Sequence, residues 1–273
     1  MFDIKQVQNY WNERPCNIRH SNKEVGTKEY YEEVRLRKYL VEPHILEFAD
    51  FYKWGRKHVL EIGCGIGTDT ISFIEKGAYV SAIDISERSL ELTKWRLMAY
   101  GYHVLGHANF YHGDAEELSK VIPVSIYDLI YSFGVIHHSP HPEKIIEQVK
   151  KYMDPTSEFR LMVYHKWSWK VLWILLKYGK GQFWKLDELI AKYSEAQTGC
   201  PITYTYTKKS VRDLLKGFEI LECKVDHIFP YEIESYKRYE YKKVWYFRLM
   251  PEKVFRWLES KIGWHLCIRC RLK

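Results

Sequence analysis

The chain has 273 residues, 46% hydrophobic and 28% charged, with a formal net charge of +7. That length suits one domain with elaborations, or one domain plus a small cap, and the composition is ordinarily globular. No apolar run reaches the roughly 20 residues needed to cross a bilayer; the longest, Trp167 to Tyr178, contains Lys170 and Lys177.

The charge is uneven. From Tyr231 to Lys273 there are eleven Lys/Arg against five Glu, so nearly all the excess lies in this last stretch. A basic patch attracts phosphates, nucleic acid or anionic lipid, and a solvated face accounts for it equally well. Aromatics reach 16%, which suits a deep pocket, an interface or a membrane surface. Six cysteines, with neither a basic start nor an apolar run after Met1, lead us to expect free thiols in a reducing, cytoplasmic compartment. Cys267 and Cys270 lack a second pair to complete a tetrahedral zinc site, and they sit in an apparent strand where i and i+3 face opposite sides. No metal site is expected.

In chain order, Asp3 to Arg14 and Lys28 to Lys53 read as helices around a break at Gly26, with Pro43 dividing the second. His58 to Ile62 is a strand ending in glycines. Thr68 to Lys76 is a helix, Ala78 to Asp84 a strand, and Ser86 caps a helix running to Tyr100. His107 to His112 is a third strand, Ala115 to Val121 a short helix, and Ile126 to Ser132 a fourth strand. Pro142 opens a helix to Met153, and Phe159 to His165 is a fifth strand. Residues 166–207 interrupt the alternation with a Trp-rich stretch and the polar turn Gln197 to Thr203. Thr207 to Leu215 is a helix and Phe218 to Ile228 a sixth strand. A basic, aromatic insertion follows at 231–262, with Lys243 to Leu258 read as one helix. Gly263 to Leu272 is the last strand. The alternation predicts an α/β fold: a doubly wound, mostly parallel seven-stranded sheet. Its parts are a helical cover (1–56), a cofactor-binding core (57–165), and remaining strands with two cap-forming insertions (166–273). Ligands sit beyond the carboxyl ends of such strands.

The central motif is Val59-Leu-Glu-Ile-Gly-Cys-Gly-Ile-Gly-Thr-Asp69. Glycines let the backbone turn sharply and let a ligand approach, and the following helix presents its N-terminal amides. Asp84 ends the next strand, where a carboxylate accepts ribose hydroxyls. A dinucleotide fingerprint has its third glycine where Thr68 stands; here it is Gly67. The Gly-x-Gly-x-Gly turn of Gly63, Cys64, Gly65 and Gly67, led by Glu61, resembles motif I of the class I S-adenosylmethionine-dependent methyltransferases. The resemblance continues through Ala82-Ile-Asp-Ile-Ser86, His112-Gly-Asp-Ala115 and Tyr127 to His138, and covers about residues 57–165. It is nearest to the small-molecule branch that includes quinone-ring methylases. The resemblance implies S-adenosylmethionine as cofactor and S-adenosylhomocysteine as product. It further implies Gly63 and Gly65 at the methionine end, Asp84 on the ribose, Ile85 against the adenine, Asp114 on its amino group with Ala115 nearby, and Phe133 near the sulfonium.

With the methyl group activated by the cofactor, the protein must align a nucleophile and exclude water. His137 and His138, following the fourth strand, are the candidate bases. Tyr10, Arg14, Arg19 and His20 in the amino-terminal segment, with Trp167 and Trp169 in the first insertion, are candidate acceptor contacts. The expected acceptor is a small molecule offering oxygen, nitrogen or carbon. RNA methylation is the alternative enzyme reading, disfavoured because Ser132-Phe-Gly-Val replaces the Asn/Asp-Pro-Pro-aromatic motif of amino-directed nucleic-acid methylases. A non-catalytic cofactor-binding protein at a membrane surface is the remaining one. Oligomeric state and peripheral membrane contact are left open by the sequence.

Overall fold

The computed structural model describes residues 3–102, 106, 108–195 and 199–273. His107 of the expected third strand, with Gln197 and Thr198 of the expected polar turn, lies outside them.

Five strands form the parallel part of the sheet: β1 (His58–Ile62), β2 (Tyr79–Asp84), β3 (Ala108–His112), β4 (Leu129–Phe133) and β5 (Glu158–His165). The two-residue β6 (Thr205–Tyr206) adds parallel to the end of β5, with Tyr164 opposite Thr205. β7 (Phe218–Asp226) and β8 (His265–Leu272) complete the order β3-β2-β1-β4-β5-β8-β7, β8 running antiparallel to both neighbours. The sheet thus has eight strands rather than the seven expected. β6 escaped sequence reading because two residues cannot display a strand's alternation. The order reverses between β1 and β4, so a crevice opens beyond their carboxyl ends.

Helices cover both faces. One core packs α3 (His44–Ala49), α4 (Thr68–Glu75), α5 (Glu87–Ala99), α8 (Trp169–Tyr178) and α9 (Leu186–Tyr193) against the sheet. The other packs α6 (Leu118–Val121), α7 (Pro142–Lys150) and α10 (Lys208–Leu214). Cys267 joins the first core and Cys270 the second, so these thiols do not converge. At the amino end, α1 (Ile4–Glu13) begins with a reciprocal capping box between Asp3 and Gln6. α2 (Lys28–Val41) ends before Pro43, as the missing N–H dictates. Its Tyr30, Tyr31 and Val34 pack on Ile66 of the glycine turn and Leu92 of α5.

The second insertion holds α11 (Ile233–Lys237), α12 (Trp245–Arg248) and α13 (Glu252–Ile262). The single helix expected over Lys243 to Leu258 is therefore two. Pro251 has no N–H to donate and clashes with the preceding turn, so the chain restarts there. Phe247 and Phe255 form a small core with Ile228, against which Trp169 of the first insertion packs. Among the described residues, no helix is long and apolar enough to cross a membrane.

Candidate cofactor and acceptor site

β1 runs directly into Gly63, Gly65 and Gly67, whose φ values of 77°, 55° and 74° lie in the left-handed region that favours glycine. Their surroundings differ. A Cβ on Gly63 would stand 2.2 Å from Val135 Cγ2, and one on Gly67 2.6 Å from Thr93 Cγ2. A Cβ on Gly65 would meet nothing within 4 Å, because Gly65 faces a cavity of about 1000 Å³. Cys64, Asp84, Ile85, Asp114, Ala115 and Phe133 share that cavity's wall with Gly63 and Gly65. Glu61 and Gly67 do not reach it. Glu61 accepts a hydrogen bond from the Thr70 hydroxyl behind the turn, where burial and then the Asp69 charge push its carboxyl up to about 8. Both shape the turn from behind, off the wall that the other expected cofactor residues share.

Asp84 accepts from the Gly65 amide at Oδ2 and the Ser86 amide at Oδ1, each at 2.8 Å. Burial pushes its carboxyl up to about 6, against the pull of those amides. Asp114 caps the turn 115–117 by accepting from the Glu116 amide at Oδ1, 2.8 Å. The cap occupies one carboxylate oxygen and leaves Oδ2 for a ligand. The side chain sits on the wall, where burial raises its pKa.

The amino-terminal segment closes over this region. Gln8 Nε2 donates to the Ile85 carbonyl at 3.1 Å, the Ser86 hydroxyl to the Trp11 carbonyl at 3.2 Å, and the Arg88 amide to Asn12 Oδ1 at 3.3 Å. Val7, Trp11, Cys16 and His20 consequently face the cavity. Of the six expected acceptor residues, His20 and Trp169 line it. Tyr10 is buried but off the wall. Arg14 folds over the Tyr10 ring and pairs with Glu13, Arg19 offers its carbonyl to Tyr239, and Trp167 is 66% exposed in the bend before α8. Local partners, or solvent, hold these three away from the cavity.

The tandem histidines separate clearly, because the turn 136–138 sends them to different neighbours. His137 is fully buried off the wall, packed on Tyr164 with ring centroids 3.8 Å apart. Neither of its ring nitrogens has a partner, and burial holds its pKa well below the usual range. A neutral, sequestered ring is not a base for a ligand in the cavity, which corrects that expectation. His138 lines the cavity. Its Nδ1 lies 2.9 Å from the Ile202 carbonyl, so Nδ1 carries a proton, and Nε2 has no hydrogen bond among the described residues and lies 3.7 Å from Glu195 Oε1. Burial pulls its pKa down, but the Cys200 sulfur and the Glu195 carboxylate prevail and raise it to about 9.

Sequence reading missed several wall residues. Lys38 reaches in from α2 and pairs with Asp69 at 2.7 Å, Asp69 also accepting from Tyr131 at 2.9 Å. Tyr164 donates to Glu195 at 2.8 Å and stacks on Trp264. Lys170 stands over the Trp264 ring. Glu42, His227 and His265 also face the cavity. His265 Nδ1 lies 2.9 Å from His44 Nε2, and its Nε2 lies 3.5 Å from Glu42 Oε1. Burial pushes Glu42 up to about 7 and the rings of His227 and His265 well below their usual range. None of these residues belongs to a local motif. They meet because α2, β5 and β7 end, and β8 begins, at the crevice.

Residues 60–159 match the family model described as a methyltransferase domain, and the sheet that carries them is Rossmann-like. Among the relatives of the chain is the ubiquinone biosynthesis O-methyltransferase of Aromatoleum aromaticum, 29% identical over 99 residues, covering 36% of this chain and 40% of that protein. The tRNA U34 carboxymethyltransferase of Hydrogenovibrio crunogenus is 31% identical over 124 residues, or 44% and 34%. The chain thus spans about 40% of the length of the first of these relatives. In fold it is similar over 99% of its length to all of the magnesium protoporphyrin IX methyltransferase of Synechocystis PCC 6803, solved with bound S-adenosylhomocysteine, at TM-score 0.60 and 16% identity.

Proposed function

We propose that this chain transfers the methyl group of S-adenosylmethionine to a small-molecule acceptor held in the aromatic half of its cavity. The observation that carries this reading is that Gly65, with no Cβ to fill the space, stands beside the Asp84 and Asp114 carboxylates on one wall of that cavity. These groups fit a nucleoside cofactor: an open backbone for the methionine end, then two acceptors for the ribose hydroxyls and the adenine amino group. The cofactor, when bound, supplies an activated sulfonium methyl. The protein supplies position and dryness. Phe133 and Tyr164 wall off the space near the methyl, Trp169, Tyr164 and Trp264 flank the acceptor, and residues 1–56 cover both. The insertions at 166–207 and 231–262 act as the acceptor cap.

His138 takes the acceptor's proton at Nε2. Its conjugate acid is stabilised, so the base form grows as pH rises through about 9. The acceptor atom is an oxygen, nitrogen or carbon. The relative acting on tRNA supports RNA as a second acceptor class, although the concave aromatic lining of the cavity favours a small molecule. Exposed aromatics on the cap support contact with a membrane surface, and six free cysteines suit a reducing cytoplasm.

Calorimetric titration with S-adenosylhomocysteine, followed by a screen of metabolite extracts with methyl-labelled cofactor, tests the proposal. One equivalent bound and a labelled small molecule are expected. Failure to bind either cofactor form refutes it, and label recovered only in RNA moves the assignment to the second class. With the acceptor in hand, kcat/KM rises with pH toward a plateau above about 9, and His138→Gln removes that limb.

A further inference from the structure

The wall facing the expected methyl position carries three polar side chains that the methyl-transfer reading leaves idle. Glu42 follows α2, His227 follows β7 and His265 opens β8. One ligand atom from each lies within 4.8 Å of the other two. Their mutual contacts do not satisfy them. Glu42 Oε1 and His265 Nε2 are 3.5 Å apart, too far for a good hydrogen bond, and the His227 ring makes none to any described residue. All three face the cavity, so their remaining lone pairs are open to a ligand there. His227 also holds a φ of 68°, a region a non-glycine residue rarely adopts, and its ring is brought within 4.6 Å of the His265 ring.

We propose that Glu42, His227 and His265 bind one divalent first-row metal ion, with its open positions facing the acceptor cavity. Two imidazoles and a carboxylate form the ligand set of catalytic zinc and related sites, which keep coordination free for a substrate. With bonds of about 2.1 Å, two ligand atoms on a tetrahedral ion stand roughly 3.4 Å apart, which the Glu42–His265 separation of 3.5 Å already matches. His265 Nδ1 lies 2.9 Å from His44 Nε2; with Nδ1 donating, this is the outer contact that orients a ligating histidine and leaves Nε2 for the ion. Of the cations that face the cavity, Lys38 is paired with Asp69, and Lys170 stands over the Trp264 ring, where burial favours its neutral form.

The Phe133 ring lies 5.5 Å from His265, so the ion is one ring away from the expected sulfonium. An acceptor hydroxyl or enol oxygen bound to the ion would lose its proton more readily, the proton passing to His138 Nε2 on the same cavity. That oxygen then forms the new C–O bond, and the S–CH3 electron pair returns to sulfur. This use rests on the methyl-transfer reading; the ion site does not.

The test takes the full chain after dialysis against EDTA and titrates it with Zn2+ by calorimetry and with Co2+ by visible absorption. One equivalent of each is expected, with Co2+ d–d bands and no thiolate charge-transfer band. Glu42→Gln and His227→Asn, the latter tolerant of positive φ, should lose the binding, and His44→Gln should weaken it roughly tenfold. S-adenosylhomocysteine binding retained by each variant reports an intact fold. No uptake by the parent chain, uptake unchanged in these variants, or a thiolate spectrum overturns the site. Turnover that survives chelation overturns only its role in holding the acceptor. A chain that binds Zn2+ but no S-adenosylhomocysteine leaves the site standing and refutes the proposed function.

Discussion

Gly63 and Gly65 share a backbone geometry and divide the labour. Gly63 is empty because Val135 needs the room, whereas Gly65 is empty because the cavity does. Gly65→Ala therefore folds, at a cost of about 1 kcal/mol for a left-handed alanine, and S-adenosylhomocysteine affinity falls at least tenfold in calorimetry. Gly63→Ala instead adds overpacking to strain and loses about 3 kcal/mol in denaturant melts. The spacing of the glycines, Asp84 and Asp114 was legible because each stands at the end of a strand, where one local pattern fixes its place. His137 and His138 were indistinguishable in sequence, since a single tight turn decides which ring meets the cavity. Glu42, His227 and His265 carried no signal, as only the sheet order brings them together.

Elements were legible where a cap or a period marks them. Pro43, Ser86 and Pro142 each bound a helix as read, while β6 and the break at Pro251 were missed. What ties the elements together is less visible. The Glu158 carboxylate at the start of β5 accepts from Lys53 after α3, from Arg160 Nε at 2.9 Å, and from Arg269 Nε of β8 at 2.8 Å. Arg160 also donates to the Phe48 carbonyl at the end of α3. Burial opposes ionisation of Glu158, but the three cations hold its pKa at about 2, below the ordinary 4.5. A depressed carboxyl contributes stability that is complete above about pH 4.5 and lost as pH falls through about 2. Glu158→Gln leaves buried Arg160 without its carboxylate partner and costs about 3 kcal/mol at pH 7. Thermal melts should show the gap to the parent narrowing as pH falls toward 2.

At the scale of the molecule, the two insertions hold much of the basic excess and many of the exposed aromatics. Leu176, Phe183 and Trp184 of the first insertion are more than 70% exposed, as is Leu249 of the second, beside exposed Trp245 and Trp257. Apolar rings flanked by lysines and arginines suit an anionic lipid surface. The chain should therefore cosediment with phosphatidylserine-containing vesicles and not with neutral ones, and Trp184→Glu with Trp257→Glu should abolish it.

The antiparallel reversal of β8 has a consequence for how such a protein can diversify. Asp226 pairs with His265, so the chain leaves the sheet and re-enters it at adjacent points on the crevice side. Everything between is a loop whose ends are already closed by the sheet, and lengthening or replacing it costs little closure entropy. The second insertion is in this sense a cassette. Exchanging it between homologous sheets should carry acceptor choice along and leave the glycine turn, with its two carboxylates, untouched.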